Sequence, residues 1–145
     1  MEADGGFDLQ RFVEAQDQDG TYERALGEIR AGRKSSHWMW FVFPQIAGLG
    51  RSLTARKFAI ASLDEAKAYV RHPVLGPRLI ESATALTGHA GLAADRILGE
   101  IDAMKLRSSM TLFSLAAPDQ PIFDRVLELF FDGRRDENTV RHATG

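Results

Sequence analysis

Two stretches of the chain gather side chains that could do chemistry. The first runs from Arg33 to Gln45 and holds both tryptophans, His37, two cations and two phenylalanines. Trp38 and Trp40 beside an imidazole make a flat wall on which a base or sugar can stack. Each indole N–H also needs an acceptor if it is buried. Arg33 and Lys34 sit where a helical pattern ends, so they either compensate the helix dipole or clamp a phosphate. The competing role is structural. Trp and Phe side chains bury roughly 150–250 Å² each, and Phe41, Val42 and Phe43 are expected in the core.

The second stretch is Asp102 to Phe113. On a helix, Asp102, Lys105 and Ser109 fall on one stripe, while Ser108 and Thr111 fall on an adjoining one. Carboxylate, ammonium and hydroxyls could line one wall of a pocket. Alternatively Asp102 is an N-cap, Lys105 is solvated and the serines bond back to helix carbonyls.

Other constellations are thinner. Ser36, His37 and Asp102 could be assembled into a triad, but no G-x-S-x-G elbow accompanies them. His37, His72, His89 and His142 lack metal-ligand spacing, and the chain has no cysteine, so no metal or cofactor is expected. Gly48-Leu49-Gly50 follows no strand and reads as a turn. Arg134-Arg135 between Asp132 and Asp136 reads as a solvated charge cluster. Arg78 opposes the dipole near a helix start, which points to a paired carboxylate or an anion site, the pair being preferred.

These groups need a scaffold, and the composition supplies one. With 145 residues, 44% hydrophobic and 26% charged, the chain suits one globular domain and excludes a disordered regulator. A formal net charge of −2 gives no global attraction to nucleic acid. The acidic start, Met1-Glu2-Ala3-Asp4, has no apolar h-region, and no apolar run approaches a membrane span. The absence of cysteine fits a reducing cytoplasm.

Residues 1–6 read as a disordered leader and 7–145 as a single all-helical domain. Asp8 is expected to cap a helix burying Leu9, Phe12, Val13 and Gln16. Tyr22, Ala25, Leu26 and Ile29 repeat at helical spacing until Gly32. The run from Trp38 to Phe43 fits a short helix or a buried strand, ended by Pro44. Ser52 caps a helix through Phe58, and Ser62 with Glu65 forms a capping box. Pro77 lies in the first turn of a helix that ends at Gly88. A short turn spans Ala93 to Leu98, and Asp102 caps a helix through about Leu115. Pro121 opens the last strong helix, with Ile122, Phe123, Val126, Leu127, Leu129 and Phe130 as its apolar residues and Gly133 at its end. Asp136 to His142 adds a terminal turn or two. The total is seven or eight short helices, with no alternating strand and no hairpin signal.

Three segments occur together in a known pattern: Ser36 to Gln45, His72 to Leu79 and Lys105 to Phe113. With Phe7-Asp8-Leu9-Gln10-Arg11-Phe12 and Gly48-Leu49-Gly50, they resemble domain-of-unknown-function family 1810, small bacterial proteins. The likeness runs from about Phe7 to Thr139. It implies a multihelical all-α fold and no particular activity. Some members carry a calpastatin label. Calpastatin is a disordered inhibitor, and the apolar content here excludes that state.

The residues therefore predict a pocket joining the aromatic motif to the Asp102–Ser109 helix, binding a small anionic ligand of nucleotide or sugar-phosphate type. Asp102 and His37 are its acid–base candidates. Arg33, Lys34, Trp38, Trp40, Gln45, Lys105, Ser108 and Ser109 are its binding candidates. The alternative is a non-catalytic protein-interaction module in which these motifs are core. A membrane partner is not expected, nor is nucleic acid, for which the cations are too few.

Overall fold

The computed structural model describes residues 6–144. The expected leader, residues 1–6, lies outside these apart from Gly6. Helix α1 (Gln10–Asp17) leads through a single 3₁₀ turn into α2 (Thr21–Ala31). Then follow α3 (Met39–Val42), α4 (Leu53–Lys57), α5 (Leu63–Arg71), α6 (Leu75–Thr87) and α7 (Ala94–Leu98). Helices α8 (Glu100–Ala116), α9 (Pro121–Phe131) and α10 (Glu137–Thr144) complete the all-α fold. Among the described residues there is no strand, only an isolated bridge between Ile46 and Ile60.

Local chemistry sets several boundaries. Ser52 Oγ accepts the Ala55 N–H at 3.0 Å, as its capping role requires. Ser62 Oγ accepts the Glu65 N–H at 3.2 Å, but Glu65 returns the bond one residue early, to Ala61 N–H at 2.7 Å. The other Glu65 oxygen lies 3.0 Å from Arg11. Arg11 also donates to the Lys57 and Ala59 carbonyls and so staples α1 to the α4–α5 junction. Asp8 is not the cap of α1. Leu9 holds that position with no side-chain cap, because burying its side chain fully fixes the register of the first turn. Asp102 is likewise not the cap of α8. The helix starts at Glu100 behind Gly99, whose φ of 89° and ψ of 157° suit only glycine, so Asp102 lies within the first turn. The aromatic run resolves into one helical turn, α3, which ends at Phe43, where φ is −125° and ψ is 74°.

Helix α8 is the axis. It packs against α5, α7, α9 and α10. From Ser108 to Ser114 every residue is buried, as expected of a helix surrounded by others. Its hydroxyls are accommodated by back-bonding: Thr111 Oγ1 to the Arg107 carbonyl and Ser114 Oγ to the Thr111 carbonyl, both at 2.8 Å. A run of ring contacts ties the layers together. Phe12 meets Tyr69 at 5.1 Å, Tyr69 meets Phe113 at 5.3 Å, and Phe113 meets Phe123 at 5.8 Å. These rings link α1, α5, α8 and α9, with Val126 and Leu127 buried beside them. Arg78 finds the expected carboxylate, Asp17, at 2.8 Å.

Candidate functional site

The loop between α2 and α3 is organised by one carboxylate. Glu28 accepts hydrogen bonds from Ser35 N–H at 2.7 Å, Ser36 N–H at 3.0 Å, the Ser36 hydroxyl, and the Trp38 indole at 2.9 Å. Burial pushes the Glu28 carboxyl up. The Ser36 hydroxyl, the Ser35 N–H, the Trp38 indole and the Ser36 N–H more than offset this and hold it at about 2. The loop is also pinned to α7 by Lys34 N–H donating to the Ile97 carbonyl at 2.7 Å.

This anchoring delivers Lys34 to α8. Its ammonium lies 2.9 Å from Asp102 Oδ2 and donates to the Ser36 carbonyl at 2.6 Å. Lys105 holds the other oxygen, Asp102 Oδ1, at 3.2 Å. Each lysine also stands over an indole, Lys34 at 5.1 Å from the Trp38 ring and Lys105 at 3.9 Å from Trp40. Two ammoniums share one carboxylate, so a positive charge is left over at the surface of α8.

Beside Lys105 opens a cleft of about 290 Å³. Leu49, Ile101 and Met104 give it apolar lining, and Trp40 and Gln45 border it too. Its polar lining comes from Arg107, Ser108, Asp136 and Asn138 besides Lys105. Arg107 donates to the Arg134 and Arg135 carbonyls at 2.9 and 2.8 Å, so its charge meets backbone rather than a carboxylate. Asp136 caps α10, accepting the Thr139 N–H at 3.0 Å, and also accepts the Ser108 hydroxyl at 3.3 Å. Its own N–H reaches Thr111 Oγ1 at 2.9 Å, which fixes α10 to α8.

A family model, described as a protein of unknown function (DUF1810), matches residues 6–143. The chain belongs to the DUF1810 family. It is similar to a solved structure, the conserved hypothetical protein Rv1873 from Mycobacterium tuberculosis, at 45% identity and a TM-score of 0.92. The alignment covers 96% of this chain and 98% of that one. No curated protein matches the chain.

In this DUF1810 chain the expected site residues divide into three groups. Trp40, Gln45, Lys105 and Ser108 line the cleft, and Asp102 and Lys34 stand behind Lys105. Trp38 is only 1% exposed and Ser109 is fully buried, so both belong to the core. The Ser109 hydroxyl has no partner among the described residues. Arg33 is exposed and lines no part of the cleft. His37 is exposed and borders a different cavity of about 450 Å³ with Arg11, Glu14, Lys57 and Phe58. Asp102 and His37 therefore do not form a pair, and Ser36 is committed to Glu28 rather than to a histidine. Trp40 is also less open than expected. Lys105 covers one part of its ring system, and Gly50 lies close to its six-membered ring, where a Cβ would stand in van der Waals contact at 3.6 Å.

Arg107, Asp136 and Asn138 were not anticipated in the cleft, nor was Glu28 as the loop anchor. The D-x-x-T spacing of Asp136 and Thr139 is a readable N-cap signal, but nothing local connects it to Ser108. Among the described residues no group of three His, Asp or Glu side chains could hold a metal. No described helix is long and apolar enough to cross a membrane.

Proposed function

We propose that this DUF1810 chain is a bacterial, cytoplasmic binding protein for a small anionic ligand of nucleotide or sugar-phosphate type, held in the cleft beside α8. The observation that carries this reading is the Lys34–Asp102–Lys105 cluster at the cleft, whose surplus positive charge faces a space bordered by a further cation, Arg107. The cleft volume lies at the small end of ligand sites, roughly 300–1,000 Å³, which suits a small metabolite. Binding rather than acid–base chemistry is favoured, because both Asp102 oxygens already accept from lysines. The test is calorimetric titration of adenosine monophosphate, ribose 5-phosphate and inorganic phosphate into the protein and into Lys105→Ala. Saturable binding weakened at least about tenfold by the substitution is expected. Absence of binding, or binding indifferent to Lys105, overturns the proposal.

One observation favours a second reading, a non-catalytic interaction module. Ile101 and Met104 are 71% and 70% exposed on one face of α8 at the cleft mouth. In that case Ile101→Ser would abolish a protein contact, whereas a small-anion site would lose little affinity.

A further inference from the structure

The anion-cleft reading leaves one residue unexplained. A site made only to hold a phosphate has no use for a carboxylate on its wall, yet Asp136 lines the cleft beside Arg107 and Ser108. Capping α10 accounts for half of this side chain. The Thr139 N–H, the Thr139 hydroxyl and the Ser108 hydroxyl all fall on Asp136 Oδ2. Oδ1 takes part in no hydrogen bond or ion pair among the described residues. Two residues on, Asn138 also lines the cleft, and its Oδ1 accepts from Arg141, which leaves its NH₂ as a donor. An acceptor and a donor thus both border the cleft.

The partner of that pair must donate to a carboxylate without being a cation, because Lys105 and Arg107 on the same wall would repel an ammonium. Neutral hydroxyls meet this condition, and two adjacent ones can both donate to Asp136 and accept from Asn138. Carboxylates take ribose hydroxyls in this way at dinucleotide sites. Resting on the anion-cleft reading, we propose that the ligand is a ribose phosphate, free or within a nucleotide, with its phosphate toward Lys105 and Arg107 and its vicinal diol read by Asp136.

The experiment compares ribo and deoxy partners by calorimetry: adenosine monophosphate against its 2′-deoxy form, and ribose 5-phosphate against 2-deoxyribose 5-phosphate. The first pair reports a nucleotide and the second a free sugar phosphate. In the native protein the deoxy compound of the preferred pair should bind roughly ten- to a hundredfold more weakly, the range for a hydrogen bond to a charged group. In Asp136→Asn, which keeps a carbonyl oxygen for the Thr139 cap, that ratio should fall to near one. Equal binding of ribo and deoxy compounds overturns the diol assignment and leaves the anion cleft standing. Discrimination that survives in Asp136→Asn overturns the role of Asp136. If none of the four compounds binds, the anion cleft fails and the diol assignment with it. Should Asp136→Asn melt too early to assay, the ribo-to-deoxy ratio of the native protein still decides.

Discussion

Lys105 and Glu28 carry the sharpest consequences at the scale of single residues. Replacing Lys105 by Ala leaves Asp102 with Lys34 at 2.9 Å, so no carboxylate is stranded and the stability loss should stay below about 1 kcal/mol. Removing both lysines is different. Asp102 is only 17% exposed, and without a cation its desolvation is uncompensated. Thermal melts of Lys34→Ala, Lys105→Ala and the double variant should show a double loss exceeding the sum of the singles. Additive losses would mean the three groups do not act as a unit. Glu28 has a pH signature. Its carboxyl is held at about 2 in the folded chain against an ordinary value near 4.5, so the charged form is bound more tightly in the native state. The resulting stability is fully present above pH 4.5 and lost as pH falls toward 2. The melting-temperature gap between native protein and Glu28→Gln should therefore be largest near neutrality and close below pH 3. A gap that ignores pH would assign the loss to packing instead.

At the scale of elements, the inward faces of the helices are legible wherever one helix carries its own pattern. Phe123 and Leu127 were expected inward from the spacing after Pro121, and they are 0% and 2% exposed. Truncating either to Ala should cost about 2–5 kcal/mol by chemical denaturation, and a loss under about 0.5 kcal/mol would contradict their burial. The first turn of α6 gives a stricter case. A Cβ on Gly76 would overlap the Val70 carbonyl oxygen, and backbone cannot step aside as a side chain can. Gly76→Ala should therefore destabilise by at least about 1–3 kcal/mol, although Ala is the better helix former. The caps at Ser52 and Ser62 were readable because donor and acceptor lie three residues apart. Glu28 was not, because its partners lie seven to ten residues later across a loop whose path no local rule supplies. The cleft was half legible for the same reason. Two adjoining stripes on α8 mark Lys105 and Ser108, but Asp136 and Asn138 arrive through tertiary packing of α10.

For the whole molecule, helix content should dominate the far-UV circular dichroism, since the described residues hold no strand. The ring contacts from Phe12 to Phe123 span four helices, Trp38 is buried in the same core, and Trp40 packs against it. Tryptophan emission and circular dichroism should then report one coincident melting transition. Separate transitions would show that the loop held by Glu28 opens independently. The attachment of α10 bears on the order in which the protein acquires its properties. A growing chain has Phe12, Tyr69, Phe113 and Phe123 in hand before it reaches Asp136 and Asn138, which synthesis at ~5–20 residues per second adds only moments later. The residues of that ring series are therefore all present on a chain that still lacks Asp136 and Asn138, although Arg107 and Ser108 are already in place. A ligand held in the proposed cleft would stabilise the folded chain by mass action, whatever the order in which its parts assemble.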